Sequence, residues 1–314
     1  DIKPAETTKH ERILHVISIV GCALSLVGLT LTIITILIIR ELRSTLPTKI
    51  LLNYCIALSL TLIVFLATPE GSKSSSLARC RTAAVALHYF LLAAFLWMAV
   101  EALSLYLAII KSRKIDLYPC TFLLKCCVFA WGTPAVIVAI TMIVALDKYG
   151  DERFCRLHGV PFFVAFVTPV ILILVGNIVV FCLVIRSLLT SGKKVTSSLK
   201  VSSLQQARQG IAIMVLLGLT WLFGFLAIDD AKLAFQWLFC IFNSLQGFLV
   251  FILFCILPAG TRKHLRKLCS QKSSYQIRED PSTGSTAIGK MYSVNDQCSA
   301  SGDELKTLDE ESSC

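Results

Sequence analysis

Charge is scarce in this sequence. Of 314 residues, 16% are Asp, Glu, Lys or Arg, against about a quarter in a soluble globular chain, so a water-soluble composition is excluded. Disorder over the whole length is excluded from the other direction. Disordered chains are charge-rich and aromatic-poor, whereas here 55% of residues are hydrophobic and mean hydropathy is +0.74. No phosphate-cradling glycine loop, Gly-x-Ser-x-Gly elbow or His-Glu-x-x-His pair occurs, so no catalytic reading stands, and no metal or cofactor is expected. The 13 cysteines lie mostly inside apolar runs, which does not suit a disulfide scaffold. The first residue is Asp1 and no charged-apolar-small leader pattern precedes the first apolar run; the expectation is a processed or trimmed piece.

Long apolar runs take the place of charge. Seven stretches, 13–39, 50–68, 82–110, 126–146, 160–185, 210–228 and 233–257, hold a single charged residue among them, Glu101. About 20 helical residues cross the hydrocarbon core, whereas a β-barrel shows alternating segments of ~10 residues. The sequence predicts an all-α membrane protein with a seven-transmembrane helix bundle. Basic residues orient it. Seventeen Lys and Arg flank the ends joined by the first, third and fifth loops and the segment after run seven, and they meet only Glu41 and Asp116. The opposite ends carry ten, interleaved with nine carboxylates. The first set is therefore expected in the cytosol, with the N-terminus outside and the C-terminus inside at the plasma membrane. The net charge of +10 needs no nucleic-acid partner.

Cys80 and Cys155 fall on the exoplasmic side, an oxidising compartment, and are predicted to form a disulfide; two unpaired thiols are the alternative. Cytosol-facing Cys120, Cys269, Cys298 and Cys314 are expected to stay reduced. After run seven, Pro258 breaks the helix and Thr261–Cys269 reads TRKHLRKLC, which suits a short amphipathic helix on an anionic leaflet. Cys269 is placed where S-palmitoylation would pin it; a plain cysteine is the alternative. The expected organisation is an extracellular stub at 1–12, the bundle at 13–257, a juxtamembrane helix at 258–269 and a disordered, phosphorylatable cytosolic tail at 270–314.

A retinal protein needs a Schiff-base Lys in the last run, and 233–257 has none. A coupled transporter usually shows internal repeats and several intramembrane charges; neither is present. Four motifs then fall in order: HYFLLAAFLWMAVEALSLY at His88–Tyr106, WGTPAV at Trp131–Val136, LGLTWLFGFLA at Leu217–Ala227 and FNSLQGFLVFILFC at Phe242–Cys255. Together these resemble the seven-helix domain of the adhesion G-protein-coupled receptors, over residues 13–269. The Asp-Arg-Tyr and Asn-Pro-x-x-Tyr signatures of the rhodopsin-like class are missing. The secretin-type hormone receptors are near relatives, but they normally carry a His in run two where this chain has Leu51.

The resemblance implies a receptor activated by a tethered apolar peptide agonist, left by autoproteolysis of an ectodomain and folded back into the outer bundle. It implies that this chain begins just after that segment. Trp221 would be the tryptophan whose rotation reports agonist, with Gly218 and Gly224 letting run six bend. Glu101 would join a polar lock in the inner half that holds the inactive state; the usual His partner is absent, which leaves Asn53, Asn243, Ser244 or Gln246. Gln246 and Gly247 match the Gln-Gly pair of the family. Phe90, Phe95, Trp97 and Met98 on run three, with Phe225, Phe235 and Phe239 opposite and Asn243 and Arg156 nearby, would line an apolar agonist pocket. His88 reads as a hydrogen-bonded core residue rather than a metal ligand. Arg113, Lys114, Lys193, Lys194, Arg208 and Arg262 would form the surface for a heterotrimeric G protein, on which the receptor catalyses nucleotide exchange.

Two positions depart from the pattern. Arg156 follows Cys155 where the family usually has Trp, and Ala102 follows Glu101 where Gly is common. The alternative reading is a membrane anchor or scaffold for an adhesion ectodomain with little G-protein signalling. Other expected partners are the cleaved ectodomain and membrane lipid. On the receptor reading, Trp221→Ala is expected to abolish agonist-dependent signalling at equal surface expression, read in cells; an unchanged response would count against the switch.

Overall fold

Inside hydrocarbon a backbone amide finds a partner only within its own segment, so a long apolar run must be helical. A computed structural model, describing residues 4–68, 77–109, 119–150, 155–190, 241, 245–258 and 260–262, has that architecture. Helix α1 (Pro4–Ile38) is followed by a short α2 (Arg40–Ser44) and by α3 (Leu46–Ala67), which starts after extended Thr45 with a proline in its first turn. Helices α4 (Leu77–Ile109) and α5 (Pro119–Ala145) come next. A one-turn α6 (Val160–Phe162) passes through a π turn (Phe163–Val167) into α7 (Thr168–Thr190). Helix α8 covers Leu245–Ile256 and ends in a second π turn, Ile252–Ile256.

Five of the described helical segments, α1, α3, α4, α5 and the α6–α7 unit, are long and apolar enough to cross a membrane. They correspond to the first five expected spans. The sixth lies outside the described residues, and α8 is part of the seventh. The helices overrun their charge-free stretches, because a helix continues past the hydrocarbon where water accepts its polar side chains. The chain divides by internal contacts into residues 1–264 and 265–314, and the second unit lies outside the described residues. Of the expected juxtamembrane helix, residues 260–262 are described and helical.

Helix α4 is the central post, packed against α3, α5 and α7. Trp97, Leu92 and Met98 are fully buried on it. Helix α1 presents a stripe of Cys22, Ser25, Leu29, Thr32 and Ile36, all buried, at three- and four-residue steps. Small residues let helices approach closely in a membrane, and here two glycines do so. A Cβ on Gly28 would stand 2.9 Å from the Phe248 Cα, and one on Gly247 would stand 2.7 Å from the Leu29 Cγ and 2.8 Å from the Ser25 carbonyl oxygen. The lipid-facing surfaces of α5 and α7 are instead aliphatic, with Ile143 84% and Leu172 68% exposed.

The cysteines divide accordingly. Cys80 and Cys155 form the expected disulfide across 75 positions of sequence. Cys22, Cys55, Cys126 and Cys255 are buried outside any disulfide, while Cys182 is exposed on α7. Cys120 is disulfide-bonded, against the expectation that it stays reduced. Charge balance speaks to the compartment, whereas the bond also requires that two thiols come close.

The α1–α8 crossing gives a direct test. Gly247→Ala forces overpacking against α1 backbone and is expected to destabilise the bundle by about 1–3 kcal/mol, lowering the melting temperature in detergent. Gly132→Ala on α5, where a Cβ meets nothing within 4 Å, is expected to leave the melting temperature unchanged or raise it, as alanine is the better helix former.

Candidate functional site

The end of the bundle that carries the disulfide is built around a proline. Pro169 has no N–H, so it cannot take up the carbonyl four residues back in a helix, that of Ala165. The π turn Phe163–Val167 surrounds this vacant acceptor, and His88 of α4 fills it, with Nε2 3.2 Å from the Ala165 oxygen. A carbonyl only accepts, so Nε2 carries the proton and the neutral ring presents a lone pair at Nδ1. Tyr149 donates its hydroxyl to Nδ1 at 2.7 Å. His88 thus joins the third span to the fifth and to the loop after α5, as a core residue and not a metal ligand.

That loop is a small antiparallel pairing. Tyr149 bridges Leu157, the Gly150 amide donates to the Arg156 carbonyl at 3.2 Å and the His158 amide to the Lys148 carbonyl at 3.1 Å. Gly150 has φ +80°, and a Cβ there would meet the Cys80 Sγ at 3.2 Å. Glycine is therefore required where the loop turns over the disulfide. Tyr149 is fully buried with Ala84 and Leu157. Burial pushes its phenol up to about 12, the Thr141 hydroxyl acting the other way. Arg156 is exposed on this pairing.

A second polar layer crosses the middle of the bundle. The Trp131 indole donates to the Asn53 Oδ1 at 3.2 Å, and the Asn53 amide donates to the Lys49 carbonyl at 2.9 Å. Tyr89 donates to the Trp131 carbonyl at 3.2 Å, in the turn ahead of Pro134. Trp97 stands edge-on to Trp131 at 6.2 Å. Gln246 on α8 donates its amide to the Tyr54 hydroxyl on α3. Ser25 accepts from the Gly247 and Phe248 amides at 3.1 and 3.3 Å, and Cys255 donates to Thr32.

Glu101 stands apart. It is 9% exposed, and its Oε2 is buried without a hydrogen-bond partner. The two described candidates for its partner are engaged elsewhere, because Asn53 faces the α5 tryptophan and Gln246 faces Tyr54. Four residues earlier on the same face of α4, the Trp97 Nε1 is also unpaired. Phe95, Trp97 and Met98 lie in the main core, Phe95 edge-on to Phe166, while Phe90 is half-buried against Tyr89. Trp221, Gly224, Phe225, Phe239, Asn243, Arg113, Lys114, Lys193, Lys194, Arg208 and Cys269 lie outside the described residues. Arg262 is exposed, its amide donating to the Pro258 carbonyl.

Sequence reasoning missed Tyr54, Trp131, Tyr149 and Ser25 as partners. A usable signal existed for Ser25, a small polar residue three before Gly28 in an apolar run, and for the carbonyls that Pro169 and Pro134 disturb. The partner across each bond had none.

A profile described as 7 transmembrane receptor (Secretin family) matches residues 11–250. The chain belongs to that receptor family. Within it, the receptor is 34% identical to the adhesion G-protein coupled receptor G2 of Rattus norvegicus over 305 residues, covering 93% of this chain. It is 36% identical to the adhesion G-protein coupled receptor G4 of Homo sapiens over 259 residues, 81% of this chain, and 34% identical to the adhesion G protein-coupled receptor E5 of Bos taurus over 87% of it. The chain spans 30%, 8% and 37% of the lengths of those relatives. The adhesion-receptor resemblance carried by the four motifs is thereby borne out, and the receptor is a multi-pass membrane protein.

The His88 bridge is testable. His88→Phe leaves the Ala165 carbonyl and the Tyr149 hydroxyl unpaired, at about 1–3 kcal/mol each, so the receptor's melting temperature should fall; Tyr149→Phe, which removes one bond, should cost about 1 kcal/mol. The raised phenol makes that contribution complete below the ordinary tyrosine value of 10 and lost as pH rises toward about 12. A melting series at alkaline pH should show the loss in the native protein and not in Tyr149→Phe.

Proposed function

We propose that this receptor transmits signals across the plasma membrane, with the disulfide end and N-terminus outside and the C-terminus in the cytosol. An apolar peptide agonist, tethered at the end of a cleaved ectodomain, binds in the outer half of the bundle near Trp97, Trp221 and Phe239. The inner face, with Arg113, Lys114, Lys193, Lys194, Arg208 and Arg262, then catalyses nucleotide exchange on a heterotrimeric G protein. The excess of basic residues at one end supports both the orientation and an acidic partner there.

The observation that carries this reading is the unpaired, buried Glu101 carboxylate oxygen. An acid inside the hydrocarbon without a partner is costly and marks function by default. Ser25, Tyr54 and Gln246 bind α8 to α1 and α3, in an arrangement that leaves the Glu101 Oε2 unsatisfied. Any rearrangement that supplies Glu101 with a partner or with water is favoured by that group, which is the bias a two-state switch needs. An agonist that binds the rearranged state more tightly completes the shift.

The experiment is nucleotide exchange by a panel of purified G proteins on membranes carrying this chain, with and without the receptor's own segment upstream of Asp1. Exchange confined to one or two G-protein classes, and dependent on that segment, is expected. Its absence in both forms, with folded protein at the surface, would favour the anchor or scaffold. Glu101→Gln lowers the cost of the unpaired group in the resting arrangement, so it should reduce agonist-driven exchange by about tenfold, a shift of about 1.4 kcal/mol.

A further inference from the structure

At the disulfide end, α5 and the α6–α7 unit diverge and leave a groove of about 430 Å³ between them. That volume is in the range of about 300–1,000 Å³ used by small-molecule sites. Its sides are Ile140 and Val144 from α5 and Val160 and Val164 from the facing unit, and these four are 55–77% exposed. The groove therefore opens sideways to lipid rather than inward to the bundle. Thr141, which is buried, contributes the single side-chain hydroxyl of the lining, and Ala165 borders the groove as well.

We propose that this groove is a sterol site in the leaflet at the disulfide end. Four features favour a sterol. A groove at this place is filled by a membrane component, because nothing else is present at hydrocarbon depth. Its wall is built of β-branched residues, whose side chains have few rotamers and hold a fixed shape. A rigid ring system loses little conformational freedom against such a wall, whereas an acyl chain must be immobilised bond by bond. The lining offers one hydroxyl oxygen in an otherwise apolar surface, that of Thr141, whose own proton goes to the Ile137 carbonyl at 2.7 Å so that it can only accept from a sterol hydroxyl. The groove also adjoins the end of α5 and the start of α6, where a lipid carries its polar group.

Occupancy has a consequence for the fold. Ala165 lies in the π turn and its carbonyl accepts from His88, while Thr141 neighbours the Tyr149 phenol. A sterol in the groove braces the turn from the lipid side and so stabilises the bridge from α4 to the loop. Membrane sterol thereby becomes an effector of the disulfide end. This inference requires that the chain be embedded in a membrane and is independent of any G protein.

The test uses the full chain in phosphatidylcholine nanodiscs with a photoreactive cholesterol analogue. Crosslinks are expected to concentrate in residues 137–145 and 160–169, to be competed by unlabelled cholesterol, and to fall about tenfold in Val164→Trp. Val144→Trp repeats the test from the opposite wall, so that misfolding of one variant, seen as a lost melting transition, leaves the other to decide. Ile143→Trp, exposed on α5 outside the groove, should label like the native chain. Labelling spread evenly over the lipid-facing helices, or unchanged in both groove variants, overturns the proposal. So does equal labelling of the groove by a photoreactive phosphatidylcholine, which would make it an ordinary acyl-chain crevice.

Discussion

A polar atom within hydrocarbon has no water to turn to, and the arrangement of this receptor follows from that constraint. Every described apolar run is helical because its backbone must satisfy itself. The few polar side chains left over are then the only groups able to tie one helix to another with direction. Asn53, Tyr54, His88, Tyr89, Trp131 and Gln246 each hold a partner on a different helix, and with Ser25 on α1 they connect the first five spans and the seventh. Apolar packing alone would not hold them in register, since lipid tails are as apolar as leucine.

A proline determines where one of those ties forms. In a regular helix the backbone carbonyls are occupied and cannot serve a neighbour. Pro169 releases the Ala165 carbonyl, the π turn presents it, and His88 takes it. Because the imidazole has a second nitrogen, the same residue reaches Tyr149 and through it the disulfide-closed loop. A chain of contacts thus runs from a missing amide on the fifth span to the loop over the third. The disulfide holds Cys155 beside the start of α4, and the buried Tyr149 holds the loop's other arm. The same π turn forms one wall of the lipid-facing groove, so the region that secures the loop is also the one most accessible to the bilayer.

Glu101 is the exception that gives the bundle a direction in which to change. Asn53 and Gln246 are satisfied by other partners, and the Glu101 Oε2 is left out. Reading the sequence for its partner left Asn53, Asn243, Ser244 or Gln246, of which Asn53 and Gln246 are described. Depth along a helix can be counted from sequence, but azimuth relative to neighbouring helices cannot. Asn53 turns out to face α5, and Gln246 finds a tyrosine that carried no mark of its role. The core position of His88 was legible, because an uncharged polar residue in an apolar run must point inward. Its two partners, 61 and 77 positions away in sequence, were not.

Length and hydropathy by themselves determined that the chain enters a membrane and where its described helices lie, since those follow from one-dimensional rules about water and hydrocarbon. Four short motifs determined the family, because side chains that meet in the bundle leave a pattern along each helix. The pairing of Cys80 with Cys155 was also accessible, the two cysteines being expected on the same oxidising side. Only the tertiary structure decided which polar atom meets which, why Gly28 and Gly247 must be glycine, and that Glu101 is left without a partner. Those facts depend on the rotation and crossing of packed helices, and they are set by all the side chains of the core acting together.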